Sequence, residues 1–238
     1  MRHDLIKMLF SDMTLCPLCL FSQFYTKIDF LENFATEPDK IIKYLKDNLD
    51  YKKSINNYIV YFLFHTGLRY GELVGLTWSD IDFENGFLKT YRRYNTNINK
   101  FVPSKTETSI RRVPLSSTDI EILESLKKIQ VSIVESLGFE NKYDLVFYHP
   151  FLFHGVPHST TINNHLALIL KQLDIQPIIT SKGARHTYGS VLLAKDYSMD
   201  VVAKILGHKD VMMLIRVYGH TLDESISKQI ESIKKLFE

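Results

Sequence analysis

Seven apolar or aromatic residues run without interruption from Tyr58 to Phe64, and the run ends at Thr66-Gly67. A helix over about Ser54 to Thr66 would be apolar on every face, so it must be buried. Gly67 is placed to stop it. Upstream, Thr36-Glu37-Pro38-Asp39 reads as a helix start, with Thr as N-cap, Pro in the first turn and acids near the positive helix end. That helix continues through Ile41, Ile42 and Leu45.

The pattern then changes period. Ile81-Asp82-Phe83 precedes a Glu84-Asn85-Gly86 turn, and Phe87 to Tyr94 alternates as one strand. Asn95 to Asn99 is a turn. Phe101-Val102 and Ile110 to Leu115 complete a small antiparallel sheet. Helices return at about Thr118 to Leu137, Thr160 to Leu173, Ser181 to Lys195, Met199 to Leu206 and Val211 to Val217. The expected fold class is mostly α with a small antiparallel β-sheet inserted (α+β). There is no internal repeat and no low-complexity tract.

The 238 residues suffice for one large domain or two small ones. A hydrophobic content of 45% and a charged content of 24% are ordinary for a globular protein. The net charge of +2 does not announce a nucleic-acid partner. Its distribution says more. Lys89, Arg92, Arg93, Lys100, Lys105, Arg111 and Arg112 stand against a single acid, Glu107, with Tyr91, Tyr94 and Phe101 among them. Such a stripe can track a phosphate backbone. It reads equally as a solvated, charged hairpin.

Cys16 and Cys19 are spaced C-x-x-C with no second pair, which excludes a four-sulfur zinc site within the chain. They read as two thiols in an apolar segment of a reducing compartment. The run Leu15 to Phe21 is too short to span a bilayer, and Asp12 interrupts any signal-peptide core. The expected location is cytoplasmic, with no membrane. His149, His154 and His158 cluster among Tyr148, Phe151 and Phe153. Their spacing fits no helix face and no carboxylate neighbours them, so they read as a loop rather than a metal site. No metal and no cofactor are expected.

Four motifs carry chemistry. They are Thr66-Gly67-Leu68-Arg69-Tyr70-Gly71-Glu72-Leu73, then Ser104-Lys105-Thr106, then Thr180-Ser181-Lys182-Gly183-Ala184-Arg185-His186-Thr187, and finally Leu206-Gly207-His208 with Tyr218 ten residues on. Two arginines can clamp the non-bridging oxygens of a phosphodiester. A tyrosine can attack phosphorus once its proton is removed. Taken singly, each has a plainer reading: Arg69 a surface partner of Glu72, Lys105 one solvated lysine of seven, Lys182 a first-turn surface residue, Gly207-His208 a helix cap.

In this order the motifs resemble the tyrosine recombinases, most closely the phage and conjugative-transposon integrases, from about Phe30 to Glu238. The resemblance implies a catalytic set of Arg69, Lys105, Lys182, Arg185, His208 and Tyr218. Tyr218 would be the nucleophile and Lys105 the acid that protonates the leaving 5′-oxygen, with Lys100 second in line. Glu72 would orient its neighbours. Where the family usually has His, this chain has Lys182, which keeps a phosphate donor and puts proton shuttling at that position in doubt. Arg92, Arg93, Lys100, Arg111 and Arg112 are the expected DNA contacts.

The implied function is site-specific DNA recombination through a 3′-phosphotyrosine link. The partner would be double-stranded DNA bearing attachment sites, with a tetrameric synapse of identical chains. A catalytically silent DNA-binding remnant and a type IB topoisomerase-like enzyme are the competing readings. Thr221-Leu222-Asp223-Glu224 forms a capping box, and Leu222, Ile226, Ile230, Ile233 and Phe237 share one helical face. That helix, Leu222 to Phe237, would dock in trans. Residues 1–29 show no clean period and do not resemble the family's DNA-clamping domain. The expected division is therefore an unassigned segment 1–29 and a catalytic domain 30–238.

Overall fold

The computed structural model describes residues 37–215 and Lys234. The expectations for Thr36, for Cys16 and Cys19, for Arg216 and Val217, for Tyr218 and for the helix Leu222 to Phe237 lie outside these residues, Lys234 apart.

The apolar run forms helix α2, Asn56–Thr66, and sits at the centre of the core. Tyr58 through Phe64 and Thr66 are all buried. Helix α1, Pro38–Asp47, packs Ile41 and Leu45 against it. Gly67 ends α2 at φ 60°, in the left-handed region that a residue with a Cβ disfavours. A Cβ there would also meet the Tyr188 ring at 2.5 Å. The chain then turns directly into the short helix α3, Tyr70–Leu73.

The strand block departs from expectation. The stretch Phe87 to Tyr94 is two strands rather than one. β2, Phe87–Thr90, pairs antiparallel with β1, Ile81–Asp82, and with β5, Arg111–Pro114. β3, Arg92–Asn95, pairs with β4, Lys100–Pro103, in a separate two-stranded sheet. The chain bends at Tyr91 because β3 lies directly on α3 and the residues after it. A Cβ on Gly75 would come within 2.8 Å of the Tyr94 nitrogen. Arg92 fastens the bend. Its guanidinium lies 4.3 Å from the Tyr91 ring centre and 4.7 Å from that of Phe101, and its Nη2 pairs with Asp80 at 2.9 Å.

Four further helices follow: α4 (Ser117–Ser136), α5 (Ser159–Gln172), α6 (Ser181–Ala194) and α7 (Met199–Leu206). Each lies within a residue or so of its expected bounds. Ser116 and Asp119 cap α4 reciprocally, and Asp119 also accepts bonds from the Tyr61 hydroxyl and from His65. α5 and α6 pack on α2. A smaller apolar cluster of Leu193, Val202, Ala203, Leu206 and Leu214 joins α6 to α7 and to the helical residues 211–215. No helix among the described residues is long and apolar enough to cross a membrane. The architecture is mostly helical with small antiparallel sheets.

Candidate active site

Arg69 is delivered by the turn that Gly67 permits. It stands at the entrance to α3 with extended backbone, and Glu72, one helical turn on, takes hold of it. Glu72 Oε1 accepts from Arg69 Nη1 at 2.7 Å, and Oε2 accepts from the Arg69 backbone N–H at 3.1 Å. The same carboxylate accepts from Arg111 Nη2 at 3.0 Å. Burial works to raise the Glu72 pKa. The Arg111 and Arg69 charges and hydrogen bonds outweigh it and hold Glu72 below the usual carboxylate range.

Arg111 requires a correction. Expected as a phosphate contact, it is buried at 8% exposure. Nε donates to Ile205 O at 2.5 Å, Nη1 to Ser109 O at 3.1 Å and Nη2 to Glu72. The signal was in the strand period. Val113 and Leu115 face the core, so Arg111 shares their phase and Arg112 the opposite one. Arg92 is likewise held within the protein, by Asp80, Thr77 and two aromatic rings. Arg93, Lys100 and Arg112 remain on the surface side. Arg93 Nε donates to Pro103 O at 3.2 Å, Lys100 is exposed on β4, and Arg112 pairs with Asp82 at 3.3 Å above the Phe87 ring.

Arg185 comes from the second turn of α6 and is buried. Its Nη1 donates to Gly67 O at 2.6 Å, and its Nη2 donates to Leu206 O. One guanidinium therefore ties the turn before Arg69 to the turn before His208. Gly183 lets the start of α6 approach Ile179, whose Cβ would lie 2.6 Å from a side chain there. Lys182 is exposed on the first turn of the same helix.

Gly207 caps α7 at φ 66°. A Cβ on it would lie 2.7 Å from Thr108 O and 2.9 Å from Arg111 Nη1, so only glycine fits. The tight cap aims His208 into the cationic centre. His208 Nδ1 is buried with no hydrogen-bond partner among the described residues. Burial lowers the imidazole pKa to about 4, with Arg185, Arg69, His186 and Arg111 adding to the fall. The ring is neutral at pH 7.

That depression fixes a stability trend. The folded pKa lies below the ordinary histidine value of 6.5. The contribution is therefore present above pH 6.5 and is lost as pH falls from there toward 4. His208→Gln should flatten this acid-side fall in melting temperature. Parallel melting curves of wild type and variant between pH 7 and pH 4.5 would reject the depressed histidine.

Lys105 is exposed in the turn between β4 and the 3-10 turn Glu107–Ser109. With Arg69, Glu72, Arg93, Tyr94 and Ser159 it lines a cleft of about 300 Å³ between α3 and the β3–β4 hairpin. The fold thus brings Arg69, Glu72, Arg185 and His208 to one place and sets Lys105 across a cleft from Arg69. It leaves Lys182 outside that cleft's lining. The histidine cluster is a loop. His149 is buried with its Nε2 3.0 Å from Tyr51 O, and His154 packs on Phe153. No three metal-ligating side chains come together among the described residues.

The model of the Phage integrase family matches residues 35–225. The chain belongs to that family. Among curated relatives it is 30% identical over 182 residues to the ICEBs1 integrase of Bacillus subtilis, covering 75% of this chain and 47% of that protein. It is 28% identical over 196 residues to a tyrosine recombinase XerC-like protein of Caldanaerobacter subterraneus subsp. tengcongensis, covering 73% and 48%. Both belong to the tyrosine recombinases and integrases that the motifs resemble.

Solved structures share the fold. The Tn1549 transposon integrase in complex with transposon right end DNA superposes with a TM-score of 0.62 at 20% identity, over 82% of this chain and 64% of that one. XerA recombinase gives 0.60 at 21% identity, over 81% and 62%. This integrase-family chain spans about half the length of the curated relatives it matches.

Proposed function

We propose that residues 30–238 are the catalytic domain of a site-specific DNA recombinase that cuts and rejoins strands through a 3′-phosphotyrosine link. The observation that carries this reading is the convergence of Arg69, Arg185 and His208, tied together through the Gly67 and Leu206 carbonyls. Three sequence-distant groups suited to one phosphoryl centre meet there. Family membership supports it further, and does not favour a silent remnant or a topoisomerase-like strand-passage enzyme.

In the proposed step the Tyr218 oxygen attacks a backbone phosphorus. The new bond is P–O(Tyr218) and the bond that breaks is P–O5′. A free tyrosine has a pKa of ~10, so its proton must be taken up as the bond forms; we assign that uptake to His208, whose ring is neutral. Arg69 and Arg185 offset the charge on the non-bridging oxygens, with Lys182 at the rim of α6 as a further donor. Lys105 gives its proton to the departing 5′-oxygen. The link stores the energy for rejoining, so no nucleotide cofactor is required. Arg93, Lys100 and Arg112 are the surface groups left to follow the DNA backbone. We place the reaction in the cytoplasm on double-stranded DNA with attachment sites. Four chains would form the synapse, and the helix Leu222 to Phe237 would dock in trans.

The test is a denaturing gel after incubation with a pool of nicked duplexes of random sequence. A protein–DNA adduct resistant to denaturant is expected, and its absence would overturn the reading. Lys105→Ala should slow adduct formation by roughly 10²-fold or more. A substrate with sulfur in place of the 5′-oxygen should recover much of that loss, because a thiolate leaves without a proton. Without rescue Lys105 is a phosphate contact only, and Lys100 inherits the acid's role.

A further inference from the structure

We infer that Arg111 is a positioning residue that couples the Arg69 half of the site to the His208 half. The inference rests on the strand-cleavage reading above. Three bonds from one buried guanidinium run to three segments, each adjoining a reacting group. Nη2 reaches Glu72, which grips Arg69. Nη1 reaches Ser109 O, and the Ser109 hydroxyl lies 3.4 Å from Arg69 Nη1. Nε reaches Ile205 O, three residues before His208.

The fit is tight on every side. Gly207 leaves no room for a Cβ beside Arg111 Nη1, and Thr108 Oγ1 donates to Gly207 O at 3.3 Å. Only a guanidinium offers donors in three such directions within one plane; an ammonium is a point charge on a flexible stem. A buried ion pair that served stability alone would be replaceable by packed apolar residues. Here the partners are two carbonyls and one carboxylate drawn from three elements, and that arrangement fixes orientation. Arg112, one residue on, is exposed and touches none of them. Arg185 makes the parallel tie between Gly67 and Leu206. Arg185 thus reaches the turn before Arg69 and Arg111 reaches Glu72 just after it, while both bond carbonyls at the end of α7.

Arg111→Lys keeps the charge and removes the three-way geometry. At saturating nicked duplex its cleavage rate constant should fall by about tenfold or more, while the DNA dissociation constant stays within about threefold. Independently of activity, the His208 ring should lose register and gain solvent, so its titration midpoint, followed by NMR, should rise by about one unit. A wild-type rate, a loss confined to DNA affinity, or an unmoved His208 midpoint would each overturn the coupling. If the lysine variant does not fold, the pair R111M/E72Q, which leaves no charge buried alone, is compared with E72Q by itself, and a further fall in cleavage and a further rise in the His208 midpoint are expected from the added R111M. Wild-type cleavage by that pair overturns the inference. So does failure of both proteins to fold, since Arg111 would then hold the fold and nothing separable from it. An inactive wild type would sink the recombinase reading, while the His208 titration would still decide the coupling.

Discussion

Tyr218→Phe is expected to abolish the covalent adduct, lowering its yield by roughly four orders of magnitude or more, as loss of a nucleophile does in other covalent catalysts. DNA affinity should stay within about twofold, because one hydroxyl among many phosphate contacts contributes little to binding. The reason for choosing Tyr218 among 13 tyrosines is its place ten residues after His208. Among the described tyrosines, Tyr51, Tyr58, Tyr61 and Tyr94 are buried in the core. Burial also raises the pKa of Tyr70 and Tyr188, which moves them away from nucleophilic use. Wild-type adduct from the Phe protein would require another tyrosine to be found by mapping the linked peptide.

Glu72→Ala should be the most damaging single change to the fold near the site. It strands Arg111 in the interior without its carboxylate, a situation that costs about 3–5 kcal/mol. For a chain of this size that corresponds to a fall in melting temperature of roughly 6–20 °C. It also releases Arg69 from two hydrogen bonds. Cleavage should drop even at temperatures where the variant remains folded. A melting curve unchanged from wild type would mean that the Glu72–Arg111 pair contributes nothing to stability.

Most helices were legible because their signals are local. The apolar run of α2 and the glycine stops at Gly67 and Gly207 are each decided within a few residues. Arg69, Arg185 and His208 could be singled out as candidates for a different reason: their short motifs keep an order along the chain. What escaped was set by contacts across long separations. The break at Tyr91 depends on Gly71 and Gly75 meeting β3, and no strand pattern contains that. Arg111 was grouped with its charged neighbours by composition. Its strand phase with Val113 and Leu115 would have placed it inside. The ties from Arg185 to Gly67 and Leu206 join residues up to 118 positions apart through backbone carbonyls, which carry no sequence signature at all.

The bend at Tyr91 separates two jobs. β3 and β4 pair with each other alone among the described strands, so Lys105 follows a two-stranded arm that is seated on α3 through β3. The arginines and His208 are rooted in helices and in β5. On the proposed mechanism, substitutions along β4 would shift Lys105 while Arg69, Arg185 and His208 kept their footing. In that reading the placement of the proposed acid and the grip on phosphate would be tuned apart, one by substitutions along the arm and the other by substitutions in the helices and β5.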